Sequence, residues 1–137
     1  MTKLNPYLSF KDNAREAMEF YKSVFGGTLD LNTFKDYQMA KDPSDENLIM
    51  HSELNTEHGL TLMGADTPSF MGGTAGPNGT VTLSGDDEAE LKSYWDKLSE
   101  GGTITQPLVK SPWEDQFGML TDKNGINWQV NIAAKKA

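Results

Sequence analysis

The chain has 137 residues and a formal charge of −8 at pH 7, a length that suits one compact domain with its own core. The acidic balance leaves no basic face to neutralise phosphates, so nucleic acid and anionic membranes are poor partners. There is no cysteine, which removes disulfides, thiolate metal ligands and a cysteine nucleophile.

No apolar run approaches the roughly 18 residues of a membrane span, and the opening "MTKLNPYLSF" lacks the apolar core of a secretory signal. A cytoplasmic location is the expectation. In "NPYLSF", Leu8 and Phe10 alternate with Asn5, Tyr7 and Ser9, the pattern of a half-buried strand. A helix follows, with Asn13 as cap and Glu16 three residues on. Ala17, Phe20, Tyr21 and Val24 make its apolar stripe, and Gly26-Gly27 ends it. Three further strands are predicted in "TLDLNTF", "LIMHSELN" and "GLTLMGA", the second after a polar loop at residues 38–47.

Residues 67–79, "TPSFMGGTAGPNG", read as a linker without the Gly-Lys-Ser/Thr ending of a phosphate loop. The first half then recurs. "TVTLS" alternates Val81 and Leu83 with Thr80, Thr82 and Ser84. Asp87 and Glu90 form a second capping box, and Leu91, Tyr94, Trp95 and Leu98 a second stripe before Gly101-Gly102. Gly27 and Gly102 lie 75 positions apart (102 − 27), as do Leu8 and Leu83, whereas the helices match at an offset of 74, as Tyr21 and Trp95 do (95 − 21). The later strands are "TITQPLV", "QFGMLTD" and "GINWQVNI", the last two joined by "DKNG", a strong hairpin signal. The chain thus reads as an internal repeat of two β-α-β-β-β modules, about 4–66 and 80–133, in a single α+β domain over 1–137.

The segments "PYLSF", "NAREAMEFYKSVFGG", "MHSELN" and "WEDQFGMLTDKNGINWQV", spread from Asn5 to Ile132, resemble the PhnB-like branch of the vicinal oxygen chelate superfamily. That superfamily holds glyoxalase I, bleomycin and fosfomycin resistance proteins and extradiol dioxygenases. The resemblance implies tandem βαβββ modules whose mixed sheets curl into an open half-barrel with helices outside, the glyoxalase-like fold. It also implies a cleft for a small ligand, a divalent metal, and a homodimer. The four metal-ligand positions of the superfamily fall on Asn5, Thr80, Gln129 and Met63, or Leu62 if the last slips by one. None supplies imidazole or carboxylate, so the expectation is that the usual metal site is lost and no cofactor is needed, with a divalent metal elsewhere left open.

Alternation places Asn127, Gln129 and Asn131 on one face of the last strand and Ile126, Trp128 and Val130 on the other. The amide row is either simply solvated or a set of donors and acceptors for a polar ligand. His51 and Glu53 share a strand face with side chains about 7 Å apart. They are candidates for a general base with its orienting acid, for displaced metal ligands, or for a structural pair. His58, in the turn "TEHG", reads as a surface residue. Trp113, Phe117 and Tyr7 are candidates for an apolar wall. The leading expectation is a metal-free small-molecule-binding protein using Asn5, Tyr7, Met63, Thr80, Thr82, Trp113, Phe117, Asn127 and Gln129. One alternative is a metal-assisted lyase, isomerase or transferase with His51 and Glu53 as catalytic residues; the other is a resistance protein that sequesters a cationic drug. A methyltransferase label is attached to some of this branch, but the sequence holds no glycine-rich nucleotide fingerprint to support it.

Overall fold

A computed structural model describes residues 4–57, 59–69, 78–112 and 114–134. The alternating segments form strands and the two capped stripes form helices. The order is β1 (Tyr7–Phe10), α1 (Ala14–Phe25), β2 (Thr28–Thr33), β3 (Ile49–Asn55), β4 (Thr61–Asp66), β5 (Thr80–Gly85), α2 (Glu88–Ser99), β6 (Thr103–Lys110), β7 (Gln116–Thr121) and β8 (Asn127–Ile132). A 3-10 turn, Pro43–Asp45, lies in the polar loop before β3. Two compact units divide between Asn78 and Gly79.

The first unit has sheet order β1-β4-β3-β2 and the second β5-β8-β7-β6, each with one parallel pair and two antiparallel pairs. Each sheet is therefore mixed and open, with its first strand laid parallel beside its last. β1 begins two residues later than Asn5, although the amide of Met63 still donates to the carbonyl of Pro6 at 3.1 Å. The side chain of Asn78 caps the edge of β1. It accepts from the Ser9 amide at 2.6 Å and donates to the Ser9 carbonyl at 3.0 Å, satisfying backbone groups that an edge strand leaves open. Residues 70–77 of the linker lie outside the described residues.

The two helices each have 12 residues and begin 74 positions apart (88 − 14). Their ends differ from the sequence reading in one respect. Asn13 makes no side-chain cap; with φ −118° and ψ 19° it is not in the extended geometry that aims a cap side chain at the first turn. The carboxylate of Asp66, at the end of β4, accepts from the Ala14 amide instead, at 2.8 Å. In α2 the cap is the expected one, since Asp87 accepts from the Glu90 amide at 3.1 Å. Glu90 accepts from the Tyr94 hydroxyl at 2.7 Å, so its carboxylate also serves the helix's own face.

The double glycines recur for a steric reason. Gly26 and Gly101, at the ends of their helices, both have φ +73°, a backbone conformation that residues with a Cβ resist. At the next position a Cβ on Gly27 would collide with the carbonyl oxygen of Asn55, and one on Gly102 with that of Thr121. Each second glycine thus lets the chain entering β2 or β6 pass against the end of the neighbouring strand, β3 or β7. The same backbone crossing is built twice.

Each helix packs on one face of its own sheet. In the first unit Leu8, Phe10, Ala14, Ala17, Met18, Tyr21, Val24, Ile49, Leu54 and Leu62 are buried. Phe20 is only half-buried, and Ala14, Met18 and Phe25 carry the stripe in its place. In the second unit Leu91, Tyr94, Trp95 and Leu98 cover Leu120, Ile126, Trp128, Val130 and Ile132. Burial of each large side chain contributes about 1.5–3 kcal/mol.

Candidate functional site

With one face of each sheet under its helix, the side chains of alternate residues project from the other, distal face. In the first unit one row across that face runs Tyr7, Met63, Glu53 and Asp30 in strand register. Beside it Ser9 pairs with Ala65, and Asn32 with His51. The Tyr7 hydroxyl lies 3.5 Å from Nδ1 of His51, and the rings stack with centroids 6.0 Å apart and planes at 29°. Partial burial pushes the Tyr7 phenol above its ordinary pKa. Glu53 lies on the same face and accepts from the Asn55 side-chain amide at 2.8 Å. Asn5 is half-buried just ahead of β1.

The distal face of the second unit has a different chemistry. Its central row is Thr82, Gln129, Met119 and Gln106. The row toward the start of β8 is Thr80, Asn127, Thr121 and Thr103, and the row toward its end is Ser84, Asn131, Phe117 and Val109. Of the three amides on β8, two are held internally. Asn127 accepts from the Thr121 hydroxyl at 2.7 Å, and Asn131 donates to Asp115 at 3.0 Å. Asp115 also accepts from the Ala134 amide, and these bonds, Asn131 first, hold its carboxyl below the usual aspartate range. Gln129 is half-buried, and its side-chain amide makes no hydrogen bond among the described residues.

Register settles the equivalence of the repeats. Tyr7 and Thr82 lie 75 positions apart (82 − 7), and they pair with Met63 and Gln129 respectively. Met63 is therefore the counterpart of Gln129 on a distal face, while Leu62 is buried beneath the helix. Trp113 and His58 lie outside the described residues. The positions that the resemblance gives to metal ligands carry two amides, a hydroxyl and a thioether. These neutral donors mix hard oxygen with soft sulfur and offer no charge against a dication, so the set does not fit a divalent metal. Among the described residues no group of three or more His, Asp or Glu side chains is arranged to hold one.

The sequence reading missed the buried aspartates that hold these faces in place. Asp66 joins Ala14 to Ile49, accepting both amides at 2.8 Å. Asp122 accepts from the amides of Asn124 and Ile126 and from the Trp128 indole. The available signal was a lone aspartate closing each of two apolar strands. A groove of about 380 Å³ near the start of α2, lined by Asp86, Glu88, Lys110, Glu114, Gln116 and Ile132, was also missed. Its polar groups are largely paired, Lys110 with Glu114 at 2.9 Å and Glu88 with Lys92 at 2.8 Å and Gln116 at 2.7 Å.

Two βαβββ units with mixed open sheets define the glyoxalase/bleomycin resistance/dioxygenase fold, and solved members of that superfamily from Sphaerobacter thermophilus and Frankia share it at 17 % and 11 % identity, with TM-scores of 0.57 and 0.65. Within it the chain belongs to the PhnB-like family whose profile, described as 3-demethylubiquinone-9 3-methyltransferase, matches residues 2–131. The Pseudomonas aeruginosa protein PA1353 is 32 % identical, covers 98 % of this chain and 100 % of its own, and superposes with a TM-score of 0.83. The PhnB protein of Bacillus cereus is 28 % identical over 96 % of this chain and 100 % of its own, with a TM-score of 0.73. Protein YjdN of Escherichia coli is 28 % identical over 97 % of each chain.

Proposed function

We propose that the protein binds a small organic molecule on the distal face of its second sheet, without a divalent metal. The observation that carries this reading is Gln129: a half-buried amide with no hydrogen-bond partner among the described residues, between Thr82 and Met119, at a position the resemblance gives to a metal ligand. The amide stays open to solvent, so its donor and its acceptor are both available for a ligand to take over from water. The neutral donors around it favour an organic ligand over a cation. The two strand-to-helix turns, Lys11-Asp12-Asn13 and Asp86-Asp87, carry no glycine and no net positive charge, which argues against a nucleotide-like methyl donor at either. The homodimer that the resemblance implies is part of the proposal, and light scattering that reports a monomer at micromolar concentration would remove that part.

A fragment screen by ¹H–¹⁵N NMR on the labelled chain tests the reading. Fragments that bind should shift Thr82, Met119 and Gln129 together; hits that leave β5, β7 and β8 unmoved would overturn it.

The contact between Tyr7 and His51 favours a second reading, an enzyme that uses these residues with Glu53 as acid and base on the first sheet. Its test is His51→Ala: any activity detected in the purified protein should fall by at least 100-fold. An unchanged rate would end that reading and leave the binding proposal intact.

A further inference from the structure

We propose that the ligand of the second sheet is an uncharged molecule that presents an N–H and a C=O side by side, as a lactam or a cyclic imide does, and that Gln129 reads that edge with both ends of its amide. The inference rests on the binding reading above and goes beyond it to the chemical class of the ligand.

The hydrogen-bonding capacity left on the face supports this choice. Asn127 has its carbonyl engaged by Thr121, and Asn131 its amino group by Asp115. Gln129 keeps both a carbonyl acceptor and an amino donor, two groups in one plane with fixed spacing. A partner with an adjacent donor and acceptor satisfies both at once, the same geometry by which a side-chain amide reads an adenine edge. A carboxylate would meet the donor but set its second oxygen against the amide carbonyl, and an ammonium would meet only the carbonyl.

The rest of the face agrees in charge and shape. Thr80, Thr82 and Ser84 on β5, Met119, Phe117 and Thr121 on β7, and Gln106 and Val109 on β6 share it in strand register, and none is ionisable. Asp115, at its margin, already accepts from Asn131 and Ala134. Met119 flanks Gln129 directly and Phe117 lies two residues along the same strand, so an apolar ring body has a surface beside the amide. The equivalent row of the first unit is Tyr7, Met63 and Glu53, which brings a phenol, a thioether and a carboxylate to the matching positions. The two copies of the repeat have diverged into one titratable face and one neutral face, and the neutral one is suited to an uncharged ligand.

The test is NMR titration of the labelled full chain with 2-pyridone and with N-methyl-2-pyridone, which keeps the ring and the carbonyl but loses the donor. The inference expects 2-pyridone to shift the side-chain amide pair of Gln129, and N-methylation to weaken binding at least 10-fold. Gln129→Met, close in volume and without the amide, should lose 2-pyridone to the same extent, and so should Gln129→Glu, which keeps an acceptor and loses the donor. Either variant suffices if the other fails to fold. Equal binding of both probes, unaffected by either substitution, would overturn the lactam inference while leaving a ligand on this face. No shift at Gln129 with 2-pyridone would also overturn it, and the fragment screen then decides separately whether the face binds anything.

Discussion

The carboxylate of Asp122 accepts the indole N–H of Trp128 at 2.8 Å, across the β7–β8 hairpin and beneath α2. The same buried carboxylate accepts from the amides of Asn124 at 2.8 Å and Ile126 at 3.1 Å, so one side chain fixes both the turn and the strand that carries Gln129. Asp122→Ala leaves three donors in or near the core without this acceptor, which should cost roughly 3–5 kcal/mol. Urea unfolding should show a lower midpoint with an unchanged slope. A loss under 1 kcal/mol would mean that water replaces the carboxylate.

The two helix starts should respond to mutation in opposite ways. Asp87→Ala removes a real cap and should cost about 1 kcal/mol, whereas Asn13→Ala removes a side chain that caps nothing and should be near neutral. Asp66→Ala strips the acceptor from Ala14 and Ile49 and should cost more than either, about 2–4 kcal/mol. Thermal melts of the three variants give the order directly.

Alanine at the second glycine of either pair should be far worse than alanine at an unpacked turn glycine. Gly27→Ala and Gly102→Ala each push a methyl into a strand carbonyl, for roughly 2–4 kcal/mol. Gly59→Ala, with φ +80° and nothing within 4 Å of the added carbon, should cost only about 1–2 kcal/mol of backbone strain. Matching losses at Gly27 and Gly102 would show that the repeat conserves a backbone crossing.

Alternation and stripe spacing made the elements legible. Leu8 and Phe10, Leu91 and Leu98, and Trp128 and Val130 face inward as their spacing requires, because burial selects side chains with the period of the element. The 74-residue offset of the helices against 75 for the strands was also readable, since the turn into α2 is one residue shorter. What the sequence did not disclose is pairing between distant segments. The local pattern pointed to Asn13 as a cap, but Asp66, 53 residues on (66 − 13), supplies the acceptor. The amide row of β8 looked uniform, yet Thr121 and Asp115 remove two of its three members from contention. Tyr7 and His51 meet because β1 lies in the same sheet as β3, with β4 between them, an order no spacing rule reports.

The acid side of the pH profile should carry the mark of Asp115. Its folded pKa lies below the unfolded value of about 3.9. Its contribution to stability is therefore present above the unfolded value and is lost as pH falls through the folded one. An NMR titration of its carboxyl should give a midpoint under the usual aspartate range, and Asn131→Ala, which removes the leading cause, should raise it. An unchanged midpoint in that variant would show that the bond to Asn131 is not made in solution.

The central claim, a ligand site that works without a divalent metal, is tested most directly by thermal melts of chelator-stripped protein alone and with excess zinc, nickel, manganese or iron(II). A site filled at one hundred times its dissociation constant adds roughly 2.7 kcal/mol and would raise the midpoint by several degrees. The neutral donors at Asn5, Met63, Thr80 and Gln129 predict no rise with any of the four. A selective rise with one metal, abolished by His51→Ala, would contradict the account and place a metal on the first sheet.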